Sequence, residues 1–187
     1  MPRVPVVDMH RFVDRQDTHH DLKAGIAQML PELRAAARLL AASRAEADDL
    51  VQEAVLRMLR GMNSFAPPLE HSGDLRAALR PWGLAVLRNT FREGWRRKRR
   101  EQAHLAAHPP EEEGRSGGQE TATRMRDLAR ALATLPPALR EALVLVGAQG
   151  LSHEQAAVIC EVPVGTMKAR VSRARRQLAL ALGAVTA

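Results

Sequence analysis

Leu151–Leu178 reads LSHEQAAVICEVPVGTMKARVSRARRQL, and the fold turns on how this stretch divides. Ser152 followed by Gln155 is a capping-box pattern, in which each side chain can answer the other residue's backbone amide at a helix start. The short helix it opens carries Ala156, Ala157, Ile159 and Cys160, and it stops before Pro163, because proline disfavours helical backbone in the residue ahead of it. After a turn of about four residues, Val164, Met167, Val171, Ala174 and Leu178 recur at steps of three and four, so a second helix is predicted from about Val164 to Leu182. A capped short helix, a tight turn and a longer basic helix make the layout of a helix-turn-helix.

Working upstream, Pro136 or Pro137 opens a helix holding Leu139, Leu143 and Val146 and ending at Gly147–Gly150. Met125, Leu128, Ala131, Leu132 and Leu135 form one helix before it. Residues 101–120, with the text HPPEEEGRSGGQE, have no apolar period and read as a flexible tether and a domain boundary. Further back, Ser43 with Glu46 repeats the capping box, and Leu50, Val51, Ala54, Val55, Met58, Leu59 and Met62 predict a helix over about Ala45–Met62. Ahead of it, Ile26, Met29, Leu30, Leu33, Ala37 and Leu40 predict a helix from near Leu22, kinked or restarted at Pro31. Pro67, Pro68 and Gly73 place a loop over 63–73, with helix resuming near Asp74, bent at Pro81 and ending near Arg100. The expected architecture is all-α: a leader over 1–20, a small helical domain over 21–100, the linker, and a second helical domain over 121–187.

Composition agrees with this. Aromatic residues make up 3% and Tyr is absent, so the core must come from Leu, Ala and other aliphatic helix formers. Lys and Arg outnumber Asp and Glu by 28 to 21, which suggests a polyanionic partner where the charge is concentrated. The single cysteine, Cys160, excludes an internal disulfide and a multi-thiolate zinc site. No long apolar run marks a signal peptide or a membrane span, so a cytoplasmic protein without membrane association is expected. The seven histidines lack metal-ligand spacing, and no Ser/His/Asp set, phosphate loop or paired catalytic carboxylates occurs. No enzyme activity, cofactor or metal is therefore assigned.

The positive charge is concentrated in two places. On the last helix, the side away from the apolar stripe holds Thr166, Lys168, Arg170, Arg173, Arg175, Arg176 and Gln177 without a carboxylate. Arginine can grip guanine O6 and N7 with two hydrogen bonds, and residues early in a recognition helix reach base edges, so Thr166, Lys168, Arg170 and Arg173 are the candidate base readers. A solvated basic face would carry the same residues, but the capped helix and turn ahead of it favour DNA. The second block, Arg92, Arg96, Arg97, Lys98, Arg99 and Arg100, is interleaved with Phe91 and Trp95, a combination suited to phosphates and unpaired bases. Trp82 and Trp95 fit equally well as packing residues. Glu46, Asp48, Asp49, Gln52 and Glu53 make an acidic helix start, explained either by the helix dipole or by a protein partner, since acids repel DNA.

Three ordered blocks, ADDLVQEAVLRMLR, WGLAVLRNTFREGWRRKRRE and LPPALREALVLVGAQGLSHEQAAVICEVPVGTMKARVSRARRQL, together resemble the extracytoplasmic-function RNA polymerase sigma factors. The resemblance covers about Leu22 to Leu182, and LRNTF, RRKRRE and VGAQGLSHEQAA look most like the alphaproteobacterial general-stress-response branch. It implies that Asp48, Asp49, Gln52, Glu53 and Arg57 face the clamp helices of core RNA polymerase. It implies that the segment from Asn63 to Arg100, with Trp82, Arg88, Asn89, Arg92, Trp95, Arg96, Arg97, Lys98, Arg99 and Arg100, opens and reads the minus-10 element. It assigns a GGAA-type minus-35 element to Ser152, His153, Thr166, Lys168, Arg170, Arg173, Arg175 and Arg176. It further implies inhibition by a small anti-sigma protein, relieved when a response regulator with a sigma-like domain captures that inhibitor, and a monomer when free.

Three places depart from the family pattern. Glu161 stands where the turn glycine is usual, Pro163 replaces the usual hydroxyl cap, and the loop over 65–79 is longer. Two other functions would use a similar fold. A sigma-like decoy that captures an anti-sigma protein would come with a receiver domain and eroded basic faces. A one-component regulator would need a ligand pocket or a dimer surface in the first half. The sequence has neither set of features. A tether of this length also lets the two domains dock, so a compact free form is expected.

Overall fold

The computed structural model describes residues 9–65, 75–105 and 120–185, with side chains placed over 19–65, 75–102 and 127–183. The described residues form seven α-helices and no strand: α1 Met9–Leu40, α2 Arg44–Gly61, α3 Leu75–Leu105, α4 Glu120–Ala133, α5 Pro137–Leu143, α6 His153–Cys160 and α7 Val164–Val185. A single 3₁₀ turn, Met62–Ser64, follows α2, and a π-helical turn, Val144–Ala148, extends α5.

The local signals behave as their chemistry requires. The Ser43 hydroxyl accepts from the Glu46 amide at 3.2 Å, and Glu46 reaches back to the Ala42 amide at 3.3 Å, starting α2. At α6 the reciprocal box is complete: the Gln155 amide donates to the Ser152 hydroxyl at 3.1 Å, and the Ser152 amide to the Gln155 side chain at 2.9 Å. Pro136 and Pro137 open α5, where a missing N–H costs nothing.

Two boundaries differ from expectation. α1 starts at Met9, so helix takes in much of the expected leader, and 1–8 lie outside the described residues. It continues through Pro31, which faces solvent, and α3 continues through Pro81. α3 also runs past Arg100 to Leu105, into the start of the expected linker, whose residues 106–119 lie outside the described set, as do 66–73 of the expected loop.

α1, α2 and α3 pack on one another through Ile26, Met29, Leu33, Ala54, Met58, Leu79, Leu84 and Leu87, all but sealed from solvent. Burying side chains of this size stabilises by roughly 1.5–3 kcal/mol each. Close approach needs small residues: a Cβ at Gly83 would lie 2.5 Å from the Met29 methyl and 3.3 Å from the Met58 sulfur. The second unit packs α5 against α7 and α6 against α7, with Ala142, Met167, Val171 and Ala174 inside. One apolar cluster runs through both units, from Leu33 and Leu87 to Val144, Ile159 and Met167, while Leu132, Leu135, Leu139 and Ala174 make a smaller one. The chain is thus closed, the two helical units in direct contact.

The turn of the helix-turn-helix keeps its left-handed backbone without glycine. Glu161 sits at φ 54° and ψ 48°, its amide donates to Val158 O at 3.1 Å, and the Val162 amide donates to Ala157 O at 3.1 Å. That is a Schellman closure, normally built on glycine. Glu161→Gly should therefore raise stability by about 0.5–1 kcal/mol, the left-handed strain relieved less the entropy of a freer unfolded chain, read as a higher urea midpoint. A lower midpoint would mean that the Glu161 side chain compensates.

Candidate nucleic-acid interface

Along α7 the buried stripe is Met167, Val171 and Ala174, and Lys168, Arg173, Arg175 and Arg176 are exposed, with Thr166 half-buried. Among the described residues none of these four cations has an ion pair. Arg173 donates through Nε to Ala169 O at 3.3 Å, which steadies its guanidinium on the helix surface. Ser152 is occupied as the cap of α6, and His153 beside it is half-buried.

Arg170 departs from the expected face. A step of one residue turns a helix by about 100°, so Arg170 borders Val171 rather than opposing it. It is half-buried, its Nη1 is enclosed without a hydrogen-bond partner, and its charge acts on Glu141.

The second half of α3 keeps Arg96, Arg97, Lys98, Arg99 and Arg100 exposed. The Arg99 guanidinium lies over the half-buried Trp95 ring at 5.4 Å, and Lys98 pairs with Glu46. Trp82 is half-buried and packs against Phe65, ring centroids 4.8 Å apart. Between α2 and this part of α3 lies an open groove of about 1530 Å³, with Glu46, Asp49 and Glu53 on one wall and Arg96, Arg97 and Arg100 on the other.

Arg88 and Arg92 are turned away from this surface. Arg88 is 4% exposed; its Nε meets Glu141 at 3.1 Å, and its Nη groups donate to the carbonyls of Ile159 at 3.4 Å and Cys160 at 3.3 Å. It also donates to Oδ1 of the exposed Asn89 at 2.9 Å. Arg92 Nε lies 3.4 Å from the other Glu141 oxygen. Burial pushes the Glu141 carboxyl above the ordinary range, against the opposing pull of Arg88, Arg92 and Arg170. Burial likewise pushes the Cys160 thiol up.

A device the sequence did not announce joins the two units: arginines closing helix C-termini, where carbonyls lack intrahelical partners and the helix dipole favours a cation. Arg88 closes α6. Arg80, ion-paired to Glu32 at 2.7 Å, reaches Gln149 O at the end of the π turn. Arg140, 6% exposed, donates to Leu40 O at the end of α1 at 2.6 Å and to Ala133 O at the end of α4 at 2.5 Å.

On α2, Asp48, Asp49 and Gln52 are exposed. Glu53 is engaged by Arg57 at 2.7 Å, which lowers its carboxyl pKa, and Arg57 also holds Glu93 at 2.6 Å. Leu56 and Leu59 stand exposed farther along the helix, a mixed acidic and apolar surface suited to a protein partner. Among the described residues no cluster of His, Cys, Asp and Glu could hold a metal, and no helix is long and apolar enough to cross a membrane.

A three-helix unit ending in a basic helix is thus followed by a helix-turn-helix unit with a basic face of its own. The Sigma-70 region 2 profile matches residues 26–101 and the Sigma-70 region 4 profile residues 125–178. The ECF RNA polymerase sigma factor EcfG of Rhodopseudomonas palustris is 40% identical over 161 residues, 86% of this chain and 84% of that protein. The ECF sigma factor SigC of Mycobacterium tuberculosis is 35% identical over 136 residues, 71% and 68% of the two chains. Among solved structures, the Bartonella quintana sigma factor RpoE in complex with the anti-sigma factor NepR superposes with TM-score 0.71 at 34% identity, covering 87% of this chain and 97% of that one. The chain belongs to the extracytoplasmic-function RNA polymerase sigma factors, a family of transcription initiation factors.

Proposed function

We propose that this protein directs core RNA polymerase to promoters of stress-response genes, acting in the cytoplasm as a monomer when free. In this reading the α7 face, with Ser152 and His153 beside it, takes the minus-35 element. The basic half of α3 takes the minus-10 element, and the acidic face of α2 docks on the polymerase clamp helices. The observation that carries it is the α7 face, where Lys168, Arg173, Arg175 and Arg176 stand exposed without an ion pair among the described residues. Such a face meets phosphates without first breaking internal pairs. Control by an anti-sigma protein rests on the likeness to the Bartonella sigma factor solved with NepR. The two-walled groove between α2 and α3 suits a protein segment carrying both charges.

Run-off transcription with purified core enzyme tests the proposal. A defined start from a promoter carrying a GGAA-type minus-35 element is expected, and no start with any promoter of that type would refute it. A chain that binds an anti-sigma protein yet fails this assay would be a decoy. The polymerase contact has its own test. Asp49→Lys should weaken association with core enzyme about ten-fold while leaving the melting temperature within a degree or two, because Asp49 is exposed and has no ion pair among the described residues. Parallel loss of fold and binding would make the acidic face structural.

A further inference from the structure

We infer that Glu141 is the catch of an interdomain latch, one that holds the chain closed by occupying arginines that promoter DNA would otherwise use. The inference rests on the promoter-reading function proposed above and adds its regulation.

Glu141 is 0% exposed at the junction of α3, α5 and α6. One of its oxygens binds Arg88 at 3.1 Å and the other lies 3.4 Å from Arg92, both on the proposed minus-10 helix. Arg170 of the proposed minus-35 helix, which packs on α5 within the same unit, has an enclosed Nη1 without a hydrogen-bond partner and adds its charge to the pull on Glu141. One carboxylate of the second unit thus draws two arginines of the proposed minus-10 helix inward across the boundary, and these are the side chains that opening would release. A 4%-exposed Arg88 cannot touch a phosphate or a base, so for this side chain closure and DNA contact exclude each other.

The balance suits a switch rather than a permanent clasp. Desolvating an ion pair offsets most of its attraction, so such a pair selects one arrangement of two surfaces more than it stabilises them. Glu141 Oε1 lacks a hydrogen bond, and a partly satisfied buried carboxylate is the weak point of its network. Promoter phosphates offer these arginines a replacement counter-charge, so DNA, or polymerase that presents DNA, binds the open form preferentially and shifts the population toward it.

The test uses the full chain with Glu141→Gln, which keeps the volume and removes the charge while leaving every proposed DNA and polymerase contact in place. Small-angle scattering should show a larger radius of gyration than for the wild type. Half-maximal run-off transcription should need roughly five-fold less protein. If the wild type initiates and Glu141→Gln changes neither quantity, the latch is wrong. If the wild type does not initiate, the promoter reading fails, and scattering alone then decides the latch: expansion supports it and an unchanged profile overturns it. Circular dichroism checks that the variant folds. Where it does not, hydrogen exchange on the wild-type chain replaces it: loss of amide protection around Arg88 and over Ile159–Val162 on binding core polymerase is expected, and unchanged protection refutes the inference.

Discussion

Replacing Arg140 by Met should lower the stability of this chain by about 2–4 kcal/mol, because each buried carbonyl left without a donor costs roughly 1–3 kcal/mol. The guanidinium donates to Leu40 O at 2.6 Å, Ala133 O at 2.5 Å and Leu135 O at 3.2 Å. Its Cζ lies 5.7 Å from the Phe91 ring centroid, so it joins the end of α1, the end of α4 and the face of α3 at one point. Met fills the volume and removes every donor, which separates hydrogen bonding from packing. Arg140→Lys should recover little, since one ammonium cannot span acceptors arranged around a planar fork. Arg130 is the internal control: its side chain is 64% exposed and its pair with Asp127 is 3.6 Å long, so Arg130→Met should stay within about 0.5 kcal/mol. Urea unfolding followed by circular dichroism gives the comparison, with an unchanged slope confirming that the same surface is exposed. A loss below about 1 kcal/mol at Arg140 would mean that water reaches these carbonyls and that the contact is peripheral.

Arg140 also marks where the sequence stops being informative. Helix starts depend on groups three residues apart, so Ser43 with Glu46 and Ser152 with Gln155 were legible, as were the helices they open. The α7 stripe Met167, Val171 and Ala174 was legible because a 3.6-residue period is a local property. An arginine that caps a helix from another domain leaves no such trace. Arg140 meets a carbonyl a hundred residues away, and Arg88 meets two across the same boundary. Both look like ordinary members of basic or mixed stretches. The misplacement of Arg170 has a simpler origin: polar identity put it on the outer face, whereas its angle beside Val171 puts it on the border. The start of α1 was missed because Met9–Asp21 lacks apolar periodicity, which marks a packed helix and not helix as such.

The α7 surface yields the sharpest functional expectation. Arg173 is exposed, lies about 200° around the helix from Val171 and is tethered to Ala169 O, so its guanidinium can reach into a major groove that Arg170, half-buried beside Val171, does not face. Arg173→Ala should cost about 1–3 kcal/mol on the specific promoter and relax preference at one base pair, the loss of a two-pronged guanine contact. Binding to random DNA should fall much less. Arg99, which sits over Trp95 at the end of the other basic block, is the residue proposed to hold a phosphate. Arg99→Ala should instead weaken all sequences alike and reduce the salt slope by about one. Promoter and random-sequence titrations at several salt concentrations, made with the polymerase holoenzyme, separate the two patterns. If Arg173→Ala loses specific and random DNA in equal proportion, the residue holds backbone, and base reading must pass to Thr166 and Lys168 at the start of the same helix.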